Sequence, residues 1–176
     1  MENKFKSIST IAVLFVMAFS GYAQMKDAPA NVAAALLIKV AAYERNISKT
    51  AQEISIYVLG DASVAMELEK GVGKSIGQAT VRRIQSGDQL PSVKPTILFI
   101  ADESQLKEAL DYSFTNHVMS VTSKPRLVLS GVALGLAIGD NGKPKIMVNI
   151  EASEKEGLDW KADIFKVAKT IKLIDT

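Results

Sequence analysis

The feature that most constrains the fold is an alternation of short apolar runs with amphipathic stretches through the middle of the chain. Residues 54–59 (Ile-Ser-Ile-Tyr-Val-Leu) and 96–100 have the apolar, β-branched composition that is typical of buried strands. After the second run, Leu106, Ala109 and Leu110 recur at helical spacing. Strands that alternate with helices predict a single α/β domain with a mostly parallel sheet flanked by helices.

The remaining elements of this half follow from the same periodicities. A first helix is predicted from Asn31, and a short helix over residues 65–70 is expected to turn Val64, Leu68 and Met66 inward. Asp102 is expected to be the N-cap of the helix that contains Leu106. Further strands are predicted at residues 79–84 and 118–121.

The C-terminal part has a different pattern, which predicts a hairpin. Residues 132–138 alternate bulky apolar residues with Ala133, Gly135 and Ala137, and residues 145–150 alternate again. The turn at Asp140-Asn141-Gly142 tolerates the positive φ angles of tight hairpins, so an antiparallel pair is expected. The face that carries only small residues predicts that a helix or backbone packs unusually close to it.

A final amphipathic helix is predicted from Lys161 onward. Its expected inner stripe consists of Phe165, Ala168 and Ile171. Trp160, just before this helix, is interpreted as a core or interface anchor. A short helical turn is predicted near residues 152–156, and Asn149 is expected to cap it with its side-chain amide.

Residues 1–23 have the layout of an export signal. A basic start is followed by a short apolar run at residues 8–19 and by small residues at Gly21 and Ala23. The run is too short to remain in a bilayer as a permanent helix, which favours cleavage between Ala23 and Gln24. We therefore expect residues 24–176 to act in the periplasm without stable membrane insertion.

The composition excludes several classes of function. The chain has no cysteine, so disulfides, thiolate catalysis and cysteine-based zinc sites are absent. Its 21 basic and 19 acidic residues give a net charge of +2, which argues against a nucleic-acid partner. His117 is the sole histidine, and we interpret it as structural because no catalytic or metal constellation accompanies it. No cofactor is expected. An envelope hydrolase is the weakest of the functional hypotheses.

One alternative concerns the carboxyl end of the parallel strands. Gly60-Asp61 and Asp102 follow two of these strands, at the edge where α/β sheets often bind ligands. A strand-ending turn explains Gly60-Asp61 more simply. A small-molecule-binding module therefore stays as the second functional hypothesis.

Several motifs together resemble the YfiR family of periplasmic regulatory proteins. The resemblance spans residues 33–171 and is carried by residues 56–61, 97–100, 130–136, 146–150, 156–158 and 164–168. Within those motifs, the matching structural positions are Gly60, Asp61, Gly131, Asn149, Gly157 and Leu158. Two features depart from the family: Arg45-Asn46 stands where a Trp-Pro pair is frequent, and the cysteine pairs of some members are missing.

The resemblance implies a regulator that is not an enzyme. Such proteins bind the periplasmic sensor part of an inner-membrane diguanylate cyclase and hold it inactive, and an outer-membrane lipoprotein can draw the repressor away. For this chain the resemblance implies the same action on a sensor cyclase or a histidine kinase, with partner-binding residues undefined. A homodimer is also compatible with its edge strands and its Ala- and Leu-rich first helix.

Overall fold

The computed structural model describes residues 25–49 and 53–171. The export signal and its cleavage position between Ala23 and Gln24 lie outside the described residues. The described part contains nine strands: β1 (Lys26–Asp27), β2 (Glu53–Leu59), β3 (Ser75–Ile76), β4 (Ala79–Gly87), β5 (Ile97–Ile100), β6 (Met119–Thr122), β7 (Leu134–Ile138), β8 (Pro144–Asn149) and β9 (Ala168–Ile171).

The helices of the described part lie mostly between these strands. The α-helices are α1 (Ala30–Val40), α2 (Arg45–Lys49), α3 (Ala62–Glu69), α4 (Leu106–Asn116), α5 (Pro125–Leu129), α6 (Ile150–Lys155) and α7 (Ile164–Val167). Two 3-10 turns, Ala41–Tyr43 and Glu103–Gln105, precede α2 and α4. None of the helices within residues 25–49 and 53–171 is long and apolar enough to cross a membrane.

All nine strands join one mixed sheet in the order β3-β4-β2-β5-β6-β7-β8-β9, with β1 paired to β7. The neighbours from β4 to β7 run parallel, and β7 and β8 form an antiparallel pair. Helical crossovers connect β2 to β4, β5 to β6 and β6 to β7, as parallel strands require. The predicted α/β class and the C-terminal hairpin are both confirmed.

The sheet separates two apolar layers because successive side chains of a strand point to opposite faces. In β5, Ile97 and Phe99 join the larger core with α1 and α3, whereas Leu98 and Ile100 pack with residues of α4 and α5. All four of these side chains are fully buried. A strand that is covered on both faces explains why residues 97–100 read as one continuous apolar run.

The small-residue face of β7 is closely covered, as predicted. A Cβ placed on Gly135 would lie 2.4 Å from Val128 Cγ2 of α5 and 3.2 Å from Met147 Cβ of β8. Gly135 is the register partner of Met147. Glycine is therefore required here for the close approach of α5 to the sheet.

The predicted final helix is present, but its expected extent and its expected inner stripe were wrong. It consists of the four residues of α7, and Ala168 and Ile171 belong instead to β9, which pairs parallel to β8. Phe165 is 43% exposed, so the expected inner stripe does not form. Pairing with the open edge of β8 satisfies backbone groups that a continued helix would have left exposed on that edge.

The inward orientation predicted for Met66 was also wrong. Met66 is 65% exposed, whereas Val64 and Leu68 are buried. Residues two apart on a helix do not face each other, so α3 can bury Val64 and Leu68 together but not Met66.

Candidate functional site

A cavity of about 330 Å³ lies where the parallel strands begin. Glu53 of β2, Ala79 of β4, Thr96 before β5 and Met119 of β6 all line it, so it opens at the amino-end edge of the sheet. Its other walls come from the start of α2 and from the turn after α6. The volume falls at the lower end of the range that small-molecule sites occupy.

Glu156 is one of two buried acids in the cavity wall, with 1% of its surface exposed. Its Oε2 accepts a hydrogen bond from the Ser120 amide at 2.9 Å, and its Oε1 lies 2.5 Å from Ser120 Oγ. Ser120 Oγ in turn accepts a bond from the Ala133 amide at 2.9 Å. Burial raises the pKa of Glu156 from 4.5 to about 8, and the two bonds from Ser120 offset only part of that effect. The carboxyl group is therefore mostly protonated at neutral pH.

Glu44 is a second buried carboxylate in the cavity wall, and it joins two distant segments. Its Oε2 accepts a bond from the Ile47 amide at 2.6 Å, which caps the start of α2. Its Oε1 accepts a bond from the Asp159 amide at 2.9 Å. The neighbouring Arg45 adds an ion pair to the Asp159 carboxylate at 2.5 Å. The turn after α6 is thus held firmly against the segment that starts α2.

His117 and Gly157 meet at another wall of the cavity. His117 is the C-cap of α4 and has a left-handed φ of 50°. Gly157 has a φ of 73°, and a Cβ on it would lie 3.5 Å from His117 Nδ1. His117 therefore lies at the C-terminus of α4. The sequence did not predict its neighbours, because the two residues are 40 positions apart and no local pattern links them.

Asn149 performs the capping role predicted for it. Its side chain is fully buried, and Oδ1 accepts a bond from the Ala152 amide at 3.1 Å, while Nδ2 donates to the Val128 carbonyl at 2.9 Å. Ser153 Oγ donates to the Asn149 carbonyl at 2.7 Å and accepts from Trp160 Nε1 at 3.0 Å. Trp160 is 8% exposed, so its predicted role as a core anchor is confirmed.

Gly60 and Asp61 follow β2, and Asp102 follows β5. These residues meet at the carboxyl ends of the parallel strands, whereas the cavity lies at the amino ends. Asp61 caps α3 by accepting bonds from the Ser63 and Val64 amides. Gly60 has a φ of 83°, and a Cβ on it would come within 2.5 Å of Asp102 Cβ. Hydrogen bonds, first from Gln105 and then from Ser104, hold the pKa of Asp102 below its ordinary value. These residues serve helix capping and tight turning at this edge.

The other family-motif positions lie apart from one another. Gly131 has a φ of 118°, and a Cβ there would lie 3.0 Å from Leu110 Cδ1 of α4. Leu158 lines the cavity beside Gly157 and packs on the larger core. The structure therefore brings Gly157 and Leu158 to the cavity and places Gly131, Gly60 and Asp61 elsewhere.

Two features define the chemistry of the site. The Glu156 carboxyl has a raised pKa, and hydrogen bonds accepted by Glu156 and Glu44 join distant segments of the chain. Both carboxyl oxygens of Glu156 engage Ser120, and both of Glu44 engage backbone amides. Within residues 25–49 and 53–171, no group of three His, Asp or Glu side chains is placed to hold a metal ion.

Two solved structures share the fold at low sequence identity. A conserved domain protein from Vibrio cholerae matches with a TM-score of 0.55 and 11% identity, over 82% of this chain and 60% of that one. An ABC domain from Streptococcus pneumoniae, solved in complex with L-Trp, matches with a TM-score of 0.51 and 10% identity, over 81% and 62%. This chain thus spans about three fifths of each structure, and the likeness concerns the fold alone. No curated protein matches the sequence.

The family comparison covers most of the chain. The sequence profile described as YfiR/HmsC-like matches residues 30–169, from the start of α1 into β9. The matched region includes the cavity residues, the Asn149 cap and the Gly60-Asp61 turn. The chain belongs to the YfiR/HmsC-like family.

Proposed function

We propose that this protein is a periplasmic, non-enzymatic regulator that binds and represses the sensor part of an inner-membrane diguanylate cyclase or histidine kinase. The observation that carries the proposal is the family match over residues 30–169. The export-signal layout of residues 1–23 supports the location, with cleavage between Ala23 and Gln24 and one domain over residues 24–176. An outer-membrane lipoprotein that withdraws the repressor, and a homodimeric state, belong to the same proposal.

The exposed apolar side chains indicate where a partner surface can be sought. Met66 on α3 is 65% exposed, Val93 before β5 is 63% exposed, and Phe165 on α7 is 43% exposed. Single exposed apolar residues are common on protein surfaces and do not by themselves define an interface. Because these residues lie on three different segments of the chain, a crosslink from one of them identifies which segment contacts the partner.

The test is site-specific photo-crosslinking in whole cells. A photoreactive amino acid replaces Met66, Val93 or Phe165 in turn, and Asp140 in the exposed β7–β8 turn serves as the control position. We expect one apolar position to trap an inner-membrane sensor protein, and deletion of the gene to raise the output of that sensor. Capture of only abundant envelope proteins at every position, with unchanged cyclic di-GMP and kinase output in the deletion strain, would overturn the proposal.

A small-molecule-binding role is the second candidate, and the cavity of about 330 Å³ is the observation that favours it. A ligand at 100 times its Kd stabilises the native state by about 2.7 kcal/mol. That corresponds to a rise in Tm of about 5–10 °C for a domain of this size. A thermal-shift screen of periplasmic metabolites measures it, and a flat response across the library would remove this candidate.

A further inference from the structure

We infer that the outer edge of β4 is a dimerisation surface, on which a second copy of this chain pairs antiparallel and joins the two sheets into one. The inference rests on the homodimeric state named in the proposed function and assigns that state to one edge of the sheet. It does not depend on which sensor protein the regulator binds.

Strand β4 is longer than the segment that covers its outer side. It has nine residues, and β3 pairs only with the first two of them. The outward amide and carbonyl of Val81 still have partners, which are the Lys74 carbonyl and the Gly73 amide. Beyond Val81, no strand of the described part pairs with the outer side of β4.

The alternation along β4 identifies the backbone groups that face outward. The Gly87 carbonyl accepts a bond from the Gly60 amide at 3.0 Å, so Gly87 is oriented toward β2. Both backbone groups of a residue in a parallel strand point to one side, and that side alternates along the strand. Gln85 therefore faces β2 as well, whereas Ile84 and Ser86 face away from it. The amides and carbonyls of these two residues have no hydrogen-bond partner within the part of the chain that the structure describes.

One antiparallel register uses all of these outward groups. When Gln85 faces the partner's Gln85, Ile84 lies opposite the partner's Ser86, and Ser86 lies opposite the partner's Ile84. Each of these residue pairs exchanges two backbone hydrogen bonds, so the two copies form about four. A pair centred on Ile84 or on Ser86 instead would match only one of the two outward residues.

The charges along β4 favour the same register. Arg82 and Arg83 begin the open part of the edge, and Asp88 follows the last residue of the strand. In the register centred on Gln85, the arginines of one copy lie beside the partner's Asp88 at both ends of the paired segment. Arg83 and Asp88 are exposed, and neither takes part in an ion pair within the described residues. Arg82 is also exposed, and its contact with Glu53 is a long one of 3.5 Å.

Charged residues and bulges on an edge strand usually oppose pairing. Arg82 is the extra residue of a bulge, because the register with β2 shifts between Val81 and Arg83. The bulge lies outside the paired residues 84–86. Parallel pairing in register would place the arginines of two copies against each other, which is unfavourable. The two features therefore disfavour competing registers and leave the antiparallel one open.

The opposite edge of the sheet lacks this complementarity. It is formed by the outer side of β9, whose four residues contain one lysine and no acid. We therefore expect a second copy to pair with β4 and not with β9.

Sedimentation velocity of the purified protein measures the dimer. A contact between two short edge strands is small, so we expect a Kd on the order of 0.1 mM. Ser86→Pro removes an outward amide and leaves the bonds to β2 in place, because proline is tolerated where an edge strand faces solvent. This variant should stay monomeric up to about 1 mM. Ser86→Ala keeps the amide and is the matched control, with an unchanged Kd.

A charge exchange tests the register. Arg83→Glu and Asp88→Arg each place like charges beside each other, so each should weaken the dimer about tenfold or more. The double variant restores opposite charges and should recover most of the affinity. Circular dichroism of each variant checks that it is folded. A double variant that is folded and no tighter than either single variant would overturn the register.

Amide hydrogen exchange locates the contact without any substitution. The amides of Ile84 and Ser86 should gain protection as the protein concentration passes the Kd, whereas the Gln85 amide, bonded to β2, should be protected at every concentration. A dimer that keeps its Kd in Ser86→Pro, with no gain of protection at Ile84 and Ser86, would overturn this edge and leave the homodimeric state standing. A protein that is monomeric at about 1 mM would overturn both.

Discussion

Asn149 offers the most direct test of the packing at the C-terminal hairpin, through the substitution Asn149→Ala. The side chain is fully buried and has a hydrogen-bond partner at each end, the Ala152 amide and the Val128 carbonyl. Alanine removes both bonds and leaves these two backbone groups without their side-chain partner in a buried place.

The two losses set the size of the effect. Removal of a helix N-cap costs about 1 kcal/mol. The Val128 carbonyl keeps a bond from the Gly131 amide at 3.3 Å, so the loss of its bond from Asn149 costs only about 0.5–1.5 kcal/mol more. The free energy of unfolding should therefore fall by about 1.5–2.5 kcal/mol, and Tm by about 3–10 °C for a domain of this size.

Urea denaturation followed by circular dichroism measures the change, with Asp61→Ala as the matched control. Asp61 also caps a helix, α3, but its side-chain contacts are local ones to Ser63 and Val64. Its replacement should cost about 1 kcal/mol. If Asn149→Ala is no more destabilising than Asp61→Ala, the bond to Val128 contributes nothing measurable and the reasoning fails.

Three further predictions concern stability and its dependence on pH. Gly135→Ala should lower the free energy of unfolding by about 1–3 kcal/mol, because the added Cβ overpacks against Val128. A second substitution in the same chain, Val128→Ala, should relieve part of that loss. A double-mutant cycle measured by urea denaturation checks both effects. Ser113 Oγ is buried and has no hydrogen-bond partner within the part of the chain that the structure describes, so Ser113→Ala should raise the melting temperature, with a gain of about 1 kcal/mol; a lower Tm would contradict this. Because the native state keeps a proton on Glu156 that the unfolded chain has lost between pH 4.5 and about 8, wild-type stability should fall there by about 1.4 kcal/mol per unit as pH rises. Glu156→Gln should remove that slope in denaturation curves taken across this range, and an unchanged slope would assign it to another group.

Local patterns predicted the elements that are stabilised by their own sequence. Residues 97–100 form a strand whose apolar run is buried on both faces of the sheet, whereas in residues 54–59 the buried apolar side chains alternate with the half-buried Ser55 and Tyr57. The turn at Asn141-Gly142 produced the antiparallel pair, and Asn149 caps α6 because an amide at that position reaches the backbone of the next turn.

The predictions failed where a distant part of the chain decides the local structure. Residues 168–171 form a strand because β8 presents an open edge to them, and nothing in their own periodicity indicates that edge. The five-residue helix α5 is too short to display a helical period, so the sequence pattern did not reveal it. Both elements depend on contacts that only the assembled sheet provides.

The amino-acid sequence by itself determined the α/β class, the hairpin, the Asn149 cap and the membership of the YfiR/HmsC-like family, because each depends on local spacing or on a linear match. Glu44, His117 and Glu156 share one cavity at the amino ends of the parallel strands. Only the tertiary structure decided this, because tens of residues separate them in the sequence and no local pattern links them. It also raised the pKa of Glu156, because the folded chain buries that carboxyl group and the hydrogen bonds from Ser120 offset only part of the rise.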